Sequence, residues 1–476
     1  MSDVSPFHRT APRRLPTRRE FLWQAGGGLG GLALAANLTI PSSTDLRTLV
    51  FAADAMGLYL PDFGFRRVRF ANLTSATVTV AGLSIGAKQI NSIAGNGQEP
   101  PYDNIPATSS ELQGPTGIAV DAQGNLFIAD TTPSPISRLR FVNRGTAPVT
   151  LFAGTDWERA VLPGQIVTLN NQASIQRGDD RITTASFESP QALFAVSNGL
   201  YIVDSQYGAL IKPVNTITGR RSGHIRFLNT SNAEVIFFPN NANNKVVVPP
   251  GMIKDLAGVN DVPPNSGYGT NGNVGDGGAA NRAVIFPTDV VTDAQGNIYI
   301  ADQGSNRIRI VNGSTGIISS FMTPGLDGDV PYTTNGATGL AFDNQGRLLL
   351  ADLRGNRVLR QLTPNGNTFV IIADASKGIS RPRDVVVDAT GNIYVTCSGT
   401  NQIMRIVAPN DTLGTVSIIA GNGLRGFGGD AAVISLHLGH VRGEVQRCDA
   451  VPDGTVFRTK RDVDTGADHV ELILYA

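Results

Sequence analysis

Cysteine is nearly absent: 476 residues carry two, Cys397 and Cys448. That excludes a disulfide-built scaffold and a cysteine-rich zinc site, and it leaves room for one bridge at most. Charge is scarce as well. Asp, Glu, Lys and Arg make up 16% of the chain, and 39 basic side chains balance 39 acidic ones. A nucleic-acid-binding face would be expected to tilt that balance toward the basic side, so the totals argue against one. After the N-terminus there is no long heptad or strongly helical window. What the chain does have is glycine, 54 residues, and proline, 27. Many short strands joined by tight turns would produce that composition. The length exceeds one ordinary core, but a repeat architecture can absorb it as a single domain.

The N-terminus reads as an address. In TRREFLWQAGGGLGGLALAA (17–36), Arg18 and Arg19 precede Phe21 and Leu22, a Gly-rich apolar run and the small-residue site Ala33-Leu34-Ala35. The stretch resembles a twin-arginine export signal, with Trp23 where a Lys is often found. The apolar run is too short for a comfortable membrane span. Residues 1–35 are therefore expected to be a signal, with a periplasmic, secreted or cell-surface destination and no membrane span in the mature chain. Removing them leaves 34 basic and 37 acidic side chains, a mildly acidic protein.

The body is repetitive. PTDVVTDAQGNIYIADQGSNRIRIV (287–311) is echoed by PTGIAVDAQGNLFIAD (115–130), TGLAFDNQGRLLLAD (338–352) and PRDVVVDATGNIYVT (382–396). Looser copies run 190–204 and 50–62, and a degraded one, VQRCDAVPDGTVF, runs 445–457. Each copy has the logic of a hairpin. A short β-branched run suits a buried strand. Asp then accepts from the backbone two residues on, and Gly or Asn tolerates positive φ. In the second run Ile298 and Ile300 alternate with Tyr299 and Ala301, so each side faces a different neighbouring sheet. Arg307-Ile308-Arg309-Ile310 reads as a more exposed third strand, and a fourth follows at 315–321 or 414–420. The Asp positions 293, 343 and 388 lie at the spacing of about 40–50 residues expected of propeller blades.

These residues resemble the NHL repeat, over most of 45–476. The resemblance implies an all-β propeller of four-stranded blades, near 48–95, 114–170, 189–258, 286–323, 337–373 and 382–421, with a degenerate seventh at 441–476. Seven blades are expected. Six is the alternative, with 445–476 as a cap or as strands completing the first blade. Residues 38–50 are candidates for the outer strand beside HVELILY (469–475).

A second pattern recurs in RFANLTSATVTVAG (69–82), RFVNRGTAPVTLFAG (140–154) and RFLNTSNAEVIFFPN (226–240). These predict extra β-hairpins between the third and fourth strands of the first three blades, and a thickened side that is a candidate partner surface. In blade 3, ALIKPVNTITG (209–219) also fits the third strand.

Chemistry is thinly signalled. The blade-to-blade loops hold Asp276, Asp327, Asp329 and Asp430, which could coordinate a cation, although none forms an alternating Asp-x-Asp-x-Asp-Gly loop. His437 and His440 have H-x-x-H spacing, in a loop context. The recurring Arg67, Arg138, Arg307 and Arg357 are expected to pair with the acidic turn of the neighbouring strand. Cys397 and Cys448 are a disulfide candidate if adjacent blades bring them together. No nucleophile–base pair can be argued, and no catalytic residue is assigned.

The NHL family includes sensor ectodomains, RNA-binding propellers and a zinc-dependent lyase. The reading that fits the signal and the missing catalytic set is a binding or scaffold module for an extracytoplasmic protein, peptide or glycan, monomeric by default, with no cofactor expected. The alternative is a metal-dependent hydrolase or lyase, lactonase-like or peptide-amide lyase-like, using calcium or zinc at the channel mouth.

Overall fold

The computed structural model describes residues 36–37, 52–96, 103–131, 137–170, 181–205, 222–259, 275–322, 336–364, 366, 368–408, 411–421, 432–433, 435–436, 455–461 and 468–474. The Asp-Ala-Gln-Gly-Asn stretch makes the turn its chemistry demands. Asp293 Oδ1 accepts the Gln295 and Asn297 amides at 3.0 and 2.9 Å, and Oδ2 accepts Asn297 Nδ2 at 2.8 Å. Gly296 turns the chain at φ 78°, where a Cβ is disfavoured. Asp121 and Asp388 hold their turns in the same way.

Each turn joins the two inner strands of a four-stranded antiparallel blade. Blade 4 is Pro287–Thr292, Ile298–Asp302, Arg307–Val311 and Ile318–Met322, paired in that order. Blade 1 runs from Ala52–Ala53 to Gln89–Ala94, blade 2 from Pro115–Val120 to Gln165–Thr168, and blade 3 from Pro190–Val196 to Ile253–Ala257. Blade 5 runs from Ala337–Phe342 to Phe369–Ala373, and blade 6 from Pro382–Val387 to Thr415–Ala420. The fold class is all-β, a propeller. The third strand of blade 3 is His224–Asn229; residues 209–219 lie outside the described residues.

Six blades make the ring, not seven. The alternation in the second strands explains the packing: Ile298 and Ile300 bury against blade 3, while Tyr299 and Ala301 bury against blade 5. Every pair of neighbouring blades shares such a core, and the series closes on itself. Leu58, Leu60 and Ile90 of blade 1 pack with Tyr394, Ile403 and Ile419 of blade 6. A seventh sheet would have to be inserted into that apolar seam. The segment read as a seventh copy instead contains two strands, Thr455–Arg461 and Asp468–Leu474, paired with each other in a separate unit spanning His437–Ala476. The outer edge of blade 1 receives Ala432–Val433 against Ile90 and Gln89. Residues 38–50 lie outside the described residues.

The inserted hairpins are present: Val78–Val80 with Leu83–Ile85, Val149–Leu151 with Arg159–Val161, and Val235–Phe237 with Val246–Val248. Each hangs from a fully buried Asn at the end of the third strand. Asn143 Nδ2 donates to the Ala147 and Val161 carbonyls at 2.9 and 2.8 Å, and its Oδ1 accepts the Gly145 amide. Asn72 and Asn229 repeat the arrangement. Each hairpin then leans toward the following blade. Val80 and Ile85 join the core between blades 1 and 2, Leu151 and Val161 that between 2 and 3, and Phe238 and Val248 that between 3 and 4.

Candidate functional site

In an antiparallel blade, the turn between strands one and two and the connection between strands three and four fall at the same end. The inserted hairpins therefore share a face with the Asp-x-x-Gly turns. The connection into blade 4, which holds Asp276, belongs to the opposite face.

On that opposite face Asp276 meets cations of the protein itself. Its Oδ1 accepts Arg309 Nη2 at 2.5 Å and its Oδ2 accepts Ser320 Oγ at 2.5 Å, with Arg307 Nη1 at 3.9 Å. Asp103, in the loop before blade 2, likewise lies 3.4 Å from Arg140 and 3.3 Å from Arg159. Asp327, Asp329, Asp430, His437, His440 and Cys448 lie outside the described residues, as do Arg18, Arg19, Phe21 and Leu22. Cys397 ends the second strand of blade 6, buried, with its thiol pushed up to about 11 by desolvation. Among the described residues, no group of three His, Cys, Asp or Glu is placed to hold a metal ion.

The third strand departs from its expected exposure. Arg309 is fully buried and Arg307 is 8% exposed. Arg69, Arg140 and Arg226 occupy the position of Arg309 in blades 1–3, equally buried; Leu359 and Met404 occupy it in blades 5 and 6. Buried guanidinium groups persist because they are paired and hydrogen-bonded. Arg309 lies 3.4 Å from Asp302 Oδ2, besides Asp276. Arg226 donates to Asp255 at 2.9 Å and to the Ser186 carbonyl. Burial pushes Asp302 and Asp130 up, against the backbone amides and arginines that favour their charge. Burial also acts to raise Asp255, but the hydrogen bond from His224 and the charge of Arg226 outweigh it and hold that carboxyl below its usual range. Of the arginines singled out from sequence, Arg357 pairs with Asp352 at 2.9 Å, while Arg67 donates to Ser92 Oγ and the Asn96 carbonyl.

The axis holds the cavity. Inner strands of all six blades line a space of about 320 Å³, through Ala53, Ile118, Phe194, Val291, Phe342 and Val387 among others. Two carboxylates, Asp289 and Asp384, line it too. They occupy matching positions in blades 4 and 6, on either side of blade 5. Asp289 Oδ2 accepts the Leu340 amide of blade 5 at 2.7 Å, and Oδ1 accepts the Val290 amide at 2.8 Å. Asp384 Oδ1 accepts the Val385 amide at 2.8 Å. A Cβ at Gly339 would stand 2.5 Å from that oxygen, so only glycine leaves the carboxylate its place. Desolvation pushes Asp289 up to about 7 despite its two amide donors. Reading the repeat as a consensus hides both residues. Aligned copy by copy, their position holds Gly117, Ala192, Asp289, Gly339 and Asp384, and an acid among small residues is the signal.

No protein-family model matches the chain. Similar solved structures include a catalytically inactive virginiamycin B lyase from Staphylococcus aureus with quinupristin, 10% identical, covering 80% of this chain and 87% of that one at a TM-score of 0.40. A nidogen/laminin complex is 12% identical over 78% of this chain and 99% of that one, at 0.39. A streptogramin B lyase is 12% identical over 78% and 95%, at 0.38. Likeness at this level carries neither activity nor partner to this protein. What stands is the architecture: an all-β propeller of six four-stranded blades, three of them bearing an extra hairpin.

Proposed function

We propose that this is an exported NHL-type propeller acting as a binding or scaffold module, with an extracytoplasmic protein, peptide or glycan held against the hairpin-bearing face. The asymmetry of the ring carries the reading. Three successive blades share one elaboration, anchored each time by a buried Asn, and the other three lack it among the described residues. Leu162 and Ile236, 50% and 49% exposed, lie in two of these insertions. An exposed apolar side chain on each of two inserted hairpins suits a partner surface. The twin-arginine pattern at Thr17–Leu22 and the small-residue site at Ala33–Ala35 support export. The acids Asp103 and Asp276 are engaged with arginines of the fold, which favours structure over hydrolytic chemistry at those positions.

The test is metal content of the mature protein purified after native export and dialysed against a weak chelator. The binding reading expects a chain that begins after Ala35 and holds metal far below one equivalent. Stoichiometric calcium or zinc would replace it with the alternative, a metal-dependent hydrolase or lyase at the channel mouth, to be assayed on lactones and peptide amides.

A further inference from the structure

The axial cavity offers a second kind of recognition, which does not rest on the hairpin reading. In blades 2–6 its lining begins at the third or fourth residue of the first strand, as at Ile118 and Asp289, and runs toward the turn, as at Val120 and Thr292. Exposure rises in the same direction. Each of these strands is buried at its first residue and half-buried at its last. The cavity therefore opens on the face of the turns between first and second strands, away from the connection that holds Asp276. All six of those turns lie among the described residues, and their exposed tips are neutral, as in Ala122-Gln123, Ser197-Asn198 and Ala389-Thr390. Inside, Ile118, Leu193, Phe194, Val291, Leu340 and Val387 make apolar walls. Asp289 and Asp384 stand at the end away from the turns, where they accept the Val290, Leu340 and Val385 amides. The volume, about 320 Å³, is that of a small-ligand pocket.

We propose that the axial cavity binds a compact, uncharged, apolar molecule of monocyclic size, which enters between the turns and lies against the inner strands. The driving force is the apolar surface that ligand and walls remove from water together. An ion of the same shape would have to give up its hydration against hydrocarbon walls, which costs far more than burying the neutral form. Selectivity therefore follows apolar area and the absence of charge.

Four probes test this on the purified mature protein at pH 7, titrated by nuclear magnetic resonance, which reads weak affinities: cyclohexylmethanol, cyclopentylmethanol, cyclohexylmethylamine and cyclohexanecarboxylate. Cyclohexylmethanol should bind saturably, and roughly fourfold more tightly than cyclopentylmethanol, the worth of one buried methylene. The amine and the carboxylate should each bind at least tenfold more weakly than cyclohexylmethanol. No binding of cyclohexylmethanol, or no gain over cyclopentylmethanol, overturns the proposal. So does an amine or carboxylate that binds as tightly as the alcohol, since charge would then be what the cavity reads. None of these results needs a variant. Ala195→Phe narrows the cavity and should abolish alcohol binding, and the milder Ala195→Leu should weaken it at least threefold. Alcohol binding unaltered in a folded variant of either kind would place the site elsewhere and overturn the proposal. Because the probes do not engage the hairpins, failure here leaves the scaffold reading standing.

Discussion

Blades 1–3 and blades 5–6 solve the same packing problem in two ways. Both halves turn between the inner strands on a glycine, by Asp-x-x-Gly everywhere but blade 3, which has Val196-Ser197-Asn198-Gly199, and both bury the same alternating second strand. They differ at the middle of the third strand. In blades 1–3 it carries a buried arginine, matched in blades 2 and 3 to acids from connecting loops and neighbouring strands. In blades 5 and 6 it carries Leu359 and Met404. The first solution ties each blade to its surroundings through charge and hydrogen bonds. The second fills that position with apolar side chains, and in blade 5 the polar tie moves one residue on, to Arg360, which reaches the Ala408 carbonyl and Asp411 of blade 6. Blade 4 sits between them, with the arginine but no inserted hairpin. The arginine therefore does not require the hairpin; what accompanies it in blades 2 and 4 is an acidic loop, through Asp103 and Asp276.

The comparison can be broken most forcefully at Arg309. Arg309→Leu copies blade 5 into blade 4 but takes from Asp302 and Asp276 the guanidinium they share, with Arg307 still 3.9 Å from Asp276. Breaking a buried pair from one side costs about 3–5 kcal/mol, read by denaturant unfolding. A loss near zero would mean the arginine fills space as leucine does. Next comes the hinge of an inserted hairpin. Asn143→Ala strands the Ala147 and Val161 carbonyls and should cost about 1–3 kcal/mol. Hydrogen exchange should accelerate over 149–161 while the inner strands of blade 2 stay protected. Uniform acceleration would show that the hairpin is part of the blade's own cooperative unit.

Two buried acids, Asp255 of blade 3 and Asp289 of blade 4, should also answer pH in opposite senses. Asp255, beside Arg226 and His224, is held below the usual carboxylate range, so its contribution is present above about pH 4 and is lost as pH falls through its folded value. Asp289 is pushed up to about 7, so the folded state loses stability as pH rises from about 4 to about 7 and changes little beyond. Relative to wild type, Asp289→Asn should gain steadily across that window, whereas Asp255→Asn should lose its disadvantage only in acid. Parallel curves would show that cation pairing does not distinguish these sites. The smallest effect is expected at the surface: Leu162→Ser with Ile236→Ser should move stability by no more than about 0.5 kcal/mol, leaving the pair suitable for binding experiments.

Features that depend on local chemistry were legible in the sequence. The turn residues Asp293, Gly296 and Asn297 announce a hairpin because one side chain satisfies its own backbone. The Arg-Phe-x-Asn pattern announced the insertions because it occurs three times. What long-range packing decides was harder. Arg307-Ile308-Arg309-Ile310 alternates like a half-exposed strand, yet Arg309 is buried, because an acid 33 residues earlier returns to meet it. The blade count turned on whether a degraded copy folds like its parents, and that depends on the seam between Leu58 and Tyr394. Asp289 and Asp384 escaped notice because their position in the repeat varies, and only the ring brings blades 4, 5 and 6 around one axis.

The central claim is that the hairpin-bearing half is the partner surface. Photo-crosslinking tests it in the exporting host, with the reactive residue placed at Leu162 or Ile236 on the inserted hairpins, or at Val407 or Leu413 on blade 6. All four are exposed to a similar degree, 44–50%, so accessibility does not separate them. Defined adducts from Leu162 and Ile236, absent from Val407 and Leu413, are predicted. Adducts from blade 6 alone, or equal adducts from all four positions, would contradict the account.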